Sequence, residues 1–194
     1  METNQQPQWL PRDVSPPEQF AVDGMLVRRW TADDEQAGYE AITASYEPLH
    51  AWMDWISEPR TRQEHREWIE RQLASWPSGF SYNYGVFDAA AGTLLAVIGV
   101  HDRVGPGGLE IGYWCHIDHT GKGVITRAAR ALTDILLALP GVDRVEIHCD
   151  EANERSAAVP RRLGYRLDRI EDDTIAAPLE TGRAMVWIKE RERA

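Results

Sequence analysis

Apolar residues recur along this chain at two different periods, and the switches between them mark out its elements. Residues 25–30 suit a short strand, and Thr31 ahead of Ala-Asp-Asp-Glu caps a helix with acidic residues at the positive end of its dipole. That helix is expected to run to about Ala44. Over residues 46–73 the tryptophans at 52, 55 and 68 fall with Ile56, Ile69 and Leu73 at the spacing of two amphipathic helices, separated near Pro59. Residues 82–87, 93–101 and 109–117 read as three antiparallel strands, with glycine-bearing turns at 88–92 and 105–108. The period then turns helical: Val124, Ala128, Leu132, Ile135, Leu136 and Leu139 share one face until Pro140-Gly141 stops it. A strand at 144–149, a short helix from Asn153 and strands at 165–170 and 184–189 complete an α+β order without internal repeats. Residues 1–24, rich in proline and glutamine, read as an N-terminal arm that Trp9, Leu10, Phe20 and Val22 could pin to a single domain over 25–194.

Composition narrows the function classes. The chain has 194 residues, 31 acidic against 21 basic, for a net charge of −10. That balance disfavours nonspecific nucleic-acid binding and favours cationic ligands such as amines. The two cysteines, Cys115 and Cys149, form no CxxC pair, and the histidines at 101, 116, 119 and 148 match no zinc spacing, so no metal is expected. The N-terminus lacks a basic stretch followed by an apolar run, and no apolar run approaches the length of a bilayer span. The expectation is a cytoplasmic protein with neither nucleic acid nor membrane as partner.

The chemistry concentrates at two junctions. Residues 109–117 run as a strand into Asp118-His119-Thr120-Gly121-Lys122-Gly123-Val124 and then a long helix. Gly121 and Gly123 remove side chains where a ligand must approach the backbone, and the unpaired amides of the first helical turn favour an anion such as pyrophosphate. Lys122 is not followed by Ser or Thr as in a nucleotide P-loop, and no GxGxxG is present. The second junction, Cys149-Asp150-Glu151-Ala152-Asn153-Glu154-Arg155-Ser156, joins a strand end to a helix start and leads to Leu163-Gly164-Tyr165.

EIGYWCHIDHTGKGVITRAARAL followed by NERSA and RRLGY resembles the GNAT acetyltransferases, in particular the RimJ/RimL-like branch that includes ribosomal-protein N-terminal acetyltransferases. LHAWMDWI at 49–56 resembles the same branch. The resemblance implies the GNAT fold: a mixed, mostly antiparallel twisted sheet flanked by helices, with a splayed central strand pair that receives the pantetheine arm of acetyl-CoA. It places cofactor contacts at Cys115, Ile117, Gly121, Lys122, Gly123, Val124, Ile125 and Asn153. The family pattern of Gln or Arg, two residues, Gly, one residue, then Gly or Ala aligns with Thr120, Gly123 and Ile125, so two of those three positions depart from it. Backbone donors do not depend on side-chain identity and survive the departures.

The implied reaction is acetyl transfer from acetyl-CoA to a primary amine, a protein N-terminus or a small molecule, by direct attack in a ternary complex. An alkylammonium with a pKa of about 10 must first lose a proton, which makes Glu110 the candidate base, directly or through water; the competing reading is an exposed strand carboxylate or an ion pair. His116 and His119 flank the loop as further titratable groups. Ser156 sits where the family places the proton donor to the departing thiolate, and equally where a helix-start hydroxyl bonds its own backbone. Asn153 serves as cap, as cofactor donor, or both. Pro160 removes the amide that would bond the Ser156 carbonyl. Tyr46, Trp52 and Trp55 are the candidate walls of the acceptor pocket, against the alternative of helix packing. A noncatalytic acyl-CoA-binding regulatory or interaction module is the alternative function, and a homodimer is compatible with the fold.

Overall fold

The computed structural model describes Leu10, Pro11 and residues 13–79 and 81–192. Trp9, expected to help pin the arm, lies outside the described residues. Eight strands form one sheet: β1 (Gln19–Val22), β2 (Met25–Arg29), β3 (Ser81–Asp88), β4 (Leu94–His101), β5 (Gly108–Cys115), β6 (Arg144–Asp150), β7 (Arg166–Asp172) and β8 (Arg183–Glu190). Their order across the sheet is β1-β2-β3-β4-β5-β6-β8-β7. Every neighbouring pair is antiparallel except β5 with β6. The segment read as an appendage therefore supplies an edge strand, and Leu10 and Phe20 do pack on the core. Tyr84 ties the arm further, its hydroxyl donating to the Pro17 carbonyl at 2.9 Å.

The five helices divide between the two faces. Alternation along β5 turns Leu109 and Ile111 into the main core under α4 (Val124–Ala138) and α5 (Glu154–Arg162). Trp114 points the other way, into the cluster built by α1 (Glu35–Ala44), α2 (Tyr46–His50) and α3 (Arg62–Ser75). α3 begins on a capping box, the Glu64 carboxylate accepting from the Thr61 amide and the Glu64 amide donating to Thr61 Oγ1. Two boundaries differ from expectation. β5 ends at Cys115 and residues 117–119 coil into a 3-10 turn, because the His116 side chain accepts from the Asp118 amide and starts the turn early. The helix after Thr31 opens with a 3-10 turn, where Asp34 accepts from both the amide and the hydroxyl of Thr31.

The sheet is weakest in one place. β5 and β6 pair over three rungs only, Gly108 with Arg144, Leu109 with Val145 and Glu110 with Glu146, and then separate. β4 continues alongside β5 to Cys115, and β8 alongside β6 to Asp150, so each side of the gap is braced by its outer neighbour.

Candidate active site: a cavity through the parting of two strands

A cavity of about 1080 Å³ opens at this gap. Its wall combines residues from both faces of the sheet: Glu110, Gly112, Trp114 and His148 from the α1–α3 side, and Tyr113, Cys149, Asn153 and Ser156 from the α4–α5 side. A single cavity reaches both faces only where the backbone ladder is interrupted, so the parting of β5 and β6 is an opening through the sheet.

The mouth of the opening on the α5 side is a cluster of hydroxyls. Pro160 lies within α5 and leaves the Ser156 carbonyl without its helical donor, as the sequence implied. Tyr113 takes that place: its hydroxyl donates to the Ser156 carbonyl at 3.0 Å and lies 3.3 Å from Ser156 Oγ. Burial holds the Tyr113 phenol protonated far above its ordinary range, with the Ser156 contact opposing weakly. Burial also pushes the Cys149 thiol up to about 11, against a lowering contact from Ser156. Asn153 caps α5, its Oδ1 accepting from the Ser156 amide at 3.1 Å while the residue remains in the cavity wall. Tyr113 was not legible as a site residue, since strand alternation puts it on the face opposite Glu110; the orphaned carbonyl above Pro160 was the available signal.

At the last paired rung two carboxylates stand side by side, Glu110 at 6% and Glu146 at 3% exposure. Each is neutralised separately. Arg103 donates to both oxygens of Glu110, at 2.6 and 2.7 Å, and this pair holds the carboxyl below its usual range although burial alone would raise it. Glu146 accepts from Arg144 at 2.6 Å and contacts His148 Nε2 at 2.7 Å, and is likewise held low against burial. Glu110 is thus a buried, ionised carboxylate held bidentately: it is not exposed, but it does form the ion pair of the other competing reading. The His148–Glu146 pair reaches the same cavity and was not recognised from sequence, where His148 stood only among unmatched metal ligands. Among the described residues no three His, Cys, Asp or Glu side chains gather to hold a metal ion.

The glycine turn stands beyond the far end of β5, outside the cavity wall. Gly121 and Gly123 both have φ +73°, which favours glycine, and an added Cβ would meet nothing within 4 Å at either. No amide from Gly121 to Thr126 donates to an acceptor among the described residues; the first to do so is Arg127, to the Gly123 carbonyl at 3.1 Å. A run of unused amides at the start of α4 fits the diphosphate of a coenzyme. Val124 and Ile125 bury their side chains in the core and offer only backbone, while Lys122 is exposed. Thr120 turns its hydroxyl back onto the Ile117 carbonyl at 2.9 Å. The Ile117 amide donates to Ser45 Oγ at 3.0 Å, so both of its main-chain groups already have partners. Cys115 directs its thiol toward the Leu95 carbonyl at 3.6 Å, and burial raises that thiol to about 11. His116 and His119 pack edge to face against each other beside the turn.

On the opposite wall Trp52 and Trp55 line the cavity, Trp55 being 44% exposed. Tyr46 does not belong to that wall: it stacks on His50 and donates to the Ser57 carbonyl at 3.2 Å. His65 lies deep on α3, 2% exposed, in face-to-face contact with Trp68. Among the described residues no helix is long and apolar enough to cross a membrane.

Comparison with known proteins agrees with this geometry. The family profile described as the acetyltransferase (GNAT) domain matches residues 25–166. A Bacillus subtilis (strain 168) protein, YdaF, provisionally named a ribosomal N-acetyltransferase, is 29% identical over 145 residues, spanning 73% of this chain and 77% of its own. The Escherichia coli (strain K12) ribosomal-protein-serine acetyltransferase is 25% identical over 132 residues, 67% of this chain and 72% of its own. Among solved structures, RimL, the ribosomal L7/L12 α-N-protein acetyltransferase, in complex with coenzyme A superposes with a TM-score of 0.81 at 18% identity, over 89% of this chain and 98% of its own. The microcin C7 self-immunity acetyltransferase MccE with acetyl-CoA and AMP gives 0.79 at 16%, over 87% of this chain and 93% of its own. A sheet that parts beside a glycine turn, a cavity through the parting and a family profile that spans most of the sequence place this chain in the GNAT acetyltransferase family.

Proposed function

We propose that this protein transfers an acetyl group from acetyl-CoA to the primary amine of a peptide N-terminus, the acceptor entering from the α1–α3 side of the sheet and the coenzyme from the α4–α5 side. The observation that carries the reading is the one cavity shared by Trp52, Trp55 and Glu110 on one side and Tyr113, Asn153 and Ser156 on the other. The peptide acceptor is favoured by the names of the relatives, which act on ribosomal proteins. The domain spans 25–194, and the described residues ahead of it, Leu10, Pro11 and 13–24, serve as an arm laid along it.

Acetyl-CoA supplies an acyl carbon already activated as a thioester. The amides of Gly121 through Ile125 and the Lys122 ammonium hold its diphosphate, Asn153 offers its side-chain amide to the pantetheine arm, and main-chain groups near Cys115 border that arm's path. Ile117 contributes through the same turn, its own amide being shared with Ser45.

Attack needs the amine neutral, and the acetyl carbon then gains a C–N bond as the C–S bond breaks. Glu110, kept ionised by Arg103, orients a water that accepts the amine proton; a low pKa suits this positioning role better than direct abstraction. A second acceptor for that proton is His148, because Glu146 fixes its ring in the same cavity. Ser156 presents its hydroxyl to the sulfur side, where Ser156 Oγ donates the proton that the leaving thiolate needs and is reprotonated from water, while Tyr113, its own proton donated to the Ser156 carbonyl, positions the serine. Trp52 and Trp55 wall the acceptor.

Coenzyme A titration followed by thiol release with a panel of N-terminal peptides tests the whole reading. Binding with turnover on peptides supports it. Binding without turnover on any amine indicates the regulatory module instead, and absence of binding removes both.

A further inference from the structure

We propose that the α3 wall of the cavity is an anion subsite, in which Arg60, backed by Trp55 and Trp68 and seconded by Arg71, receives a carboxylate or phosphate carried by the acceptor amine. The proposal rests on the transferase reading for its occupant and adds the acceptor's chemical class.

Arg60 is conspicuous for its company. Its guanidinium carbon lies 5.4 Å from the Trp55 ring and 6.0 Å from the Trp68 ring, and it makes no ion pair with a carboxylate among the described residues. The arginines at 28, 29, 62, 66, 103, 144, 161, 166, 169 and 183 all do. Of the described arginines without an ion pair, Arg60 is the half-buried one that also lacks a hydrogen bond, Arg127 being bonded to the Gly123 and Asp23 carbonyls. Indole faces hold the planar fork from the side and leave its N–H edge free for a bidentate oxyanion.

Arg71, itself exposed, lines the same wall; the burial of Arg60 and then the Arg71 charge disfavour protonated Arg60, with Glu64 the weaker opposing influence. Two like charges in one wall, one desolvated, are relieved together by one anion between them. Beneath them His65 is 2% exposed with both ring nitrogens unpartnered, and Trp30, also 2% exposed, leaves its indole N–H unpartnered; both line the cavity. Buried polar atoms without partners are rare.

The far side of the cavity offers no competing demand. Asp150 accepts from Thr181, Glu180 from the amides of Ala176 and Ala177, Glu171 pairs with Arg169 and Asp172 with Arg183. Of the acids lining the cavity all but Asp54 have a partner within the chain, whereas Arg60 and Arg71 have neither an ion pair nor a hydrogen bond among the described residues. The cavity as a whole stays acidic, like the chain, and the α3 wall is where its unpaired positive charge lies.

Equilibrium titration in the presence of coenzyme A reads the subsite without requiring turnover. The probes are serine-initiated tetrapeptide amides with Asp, phosphoserine or Asn at position two, and β-alanine against its amide as the small-molecule arm. The wild-type protein should bind the acidic probe of a pair at least tenfold tighter than the neutral one, with the difference shrinking as salt rises. Arg60→Gln should abolish the preference, Arg60→Lys retain part of it, and Arg71→Gln reduce it, with neutral probes and coenzyme A bound as before. Preference confined to the peptides, or to the small amines, identifies the source of the anion. Equal binding of acidic and neutral probes by the wild type overturns the proposal, as does an Arg60→Gln variant that keeps the preference or loses affinity for both probes alike. If acidic probes bind by this pattern and none is acetylated, the subsite stands and the transferase reading fails.

Discussion

Tyr113 on β5 and Ser156 on α5 are joined across the parted strands because Pro160 leaves the Ser156 carbonyl vacant for the tyrosine hydroxyl. One proline thereby brings two hydroxyls to within 3.3 Å of each other on the sulfur side of the cavity. Replacing Ser156 by Ala or Tyr113 by Phe should lower kcat by about 10²-fold, the size of a lost general acid, while leaving coenzyme A affinity within about twofold. Pro160→Ala should restore the helical amide, compete with Tyr113 for the carbonyl and lower kcat less than either. Equal losses in kcat and in coenzyme affinity for all three would show a role in shape alone.

Gly123 caps α4 at φ +73° with open space around it, so alanine there meets no atom and suffers only the backbone. The left-handed conformation costs an L-residue about 1–2 kcal/mol. If the helix relaxes to escape that cost, the amides of the turn lose their aim. Gly123→Ala should weaken coenzyme A binding by about tenfold or less, since 1.4 kcal/mol is a factor of ten, and lower the melting temperature modestly. Calorimetric titration beside a thermal melt separates the two.

Arg103 is half-exposed, whereas its partner Glu110 is buried. Removing the arginine strands the carboxylate, and Arg103→Ala should destabilise the fold by about 1–3 kcal/mol, the range for an unsatisfied buried polar group. With the folded pKa of Glu110 held below its unfolded value, the pair's contribution is present above the ordinary carboxylate range and is lost as pH falls through the folded value. Denaturation of Arg103→Ala against wild type between pH 3 and 7 should show the two curves converging at the acid end. In activity, Glu110→Gln should reduce kcat/KM and His148→Ala should not if Glu110 orients the water; the opposite result transfers the proton to His148.

His65 tests the interior of α3. Burial and then the Arg60 charge push its pKa down to about 4, so below about pH 6.5 the unfolded chain takes a proton that the folded chain refuses. Stability should fall with acidification from about 6.5 toward 4, at most by about 1.4 kcal/mol per pH unit. His65→Phe, which keeps the stack on Trp68, should flatten the pH dependence in that window if it folds; His65→Gln, uncharged at every pH, serves the same comparison. A wild-type profile already flat there would show that the ring is protonated in place.

The elements with a strong period were legible. The long run of aliphatics at every third or fourth position gave α4 almost to the residue, and the stop at Pro140-Gly141 holds because Gly141 adopts φ +81°. Residues 19–22 were not legible as a strand, since four half-exposed edge residues carry no alternation beyond Phe20 and Val22. Within the site, the glycine turn and the capping Asn153 follow from local backbone rules. Tyr113, the His148–Glu146 pair and the open Arg60 depend on which strands and helices come to face one cavity, and residues 43, 2 and 8 positions apart reveal that only after folding. Tyr46 was assigned to the acceptor wall by its nearness in sequence to Trp52, and the turn of α2 carries it instead onto His50.

A sheet stitched at its middle by only three rungs resembles a closure with most of its fasteners missing. Beyond that short seam the half holding β1 to β5 and the half holding β6 to β8 are joined by side chains, through the core under α4 and the Tyr113–Ser156 contact. An extended coenzyme tail laid between them would act as a temporary thread, so its arrival should slow hydrogen exchange over residues 111–115 and 147–150 far from the diphosphate, and the empty protein should be the softer of the two.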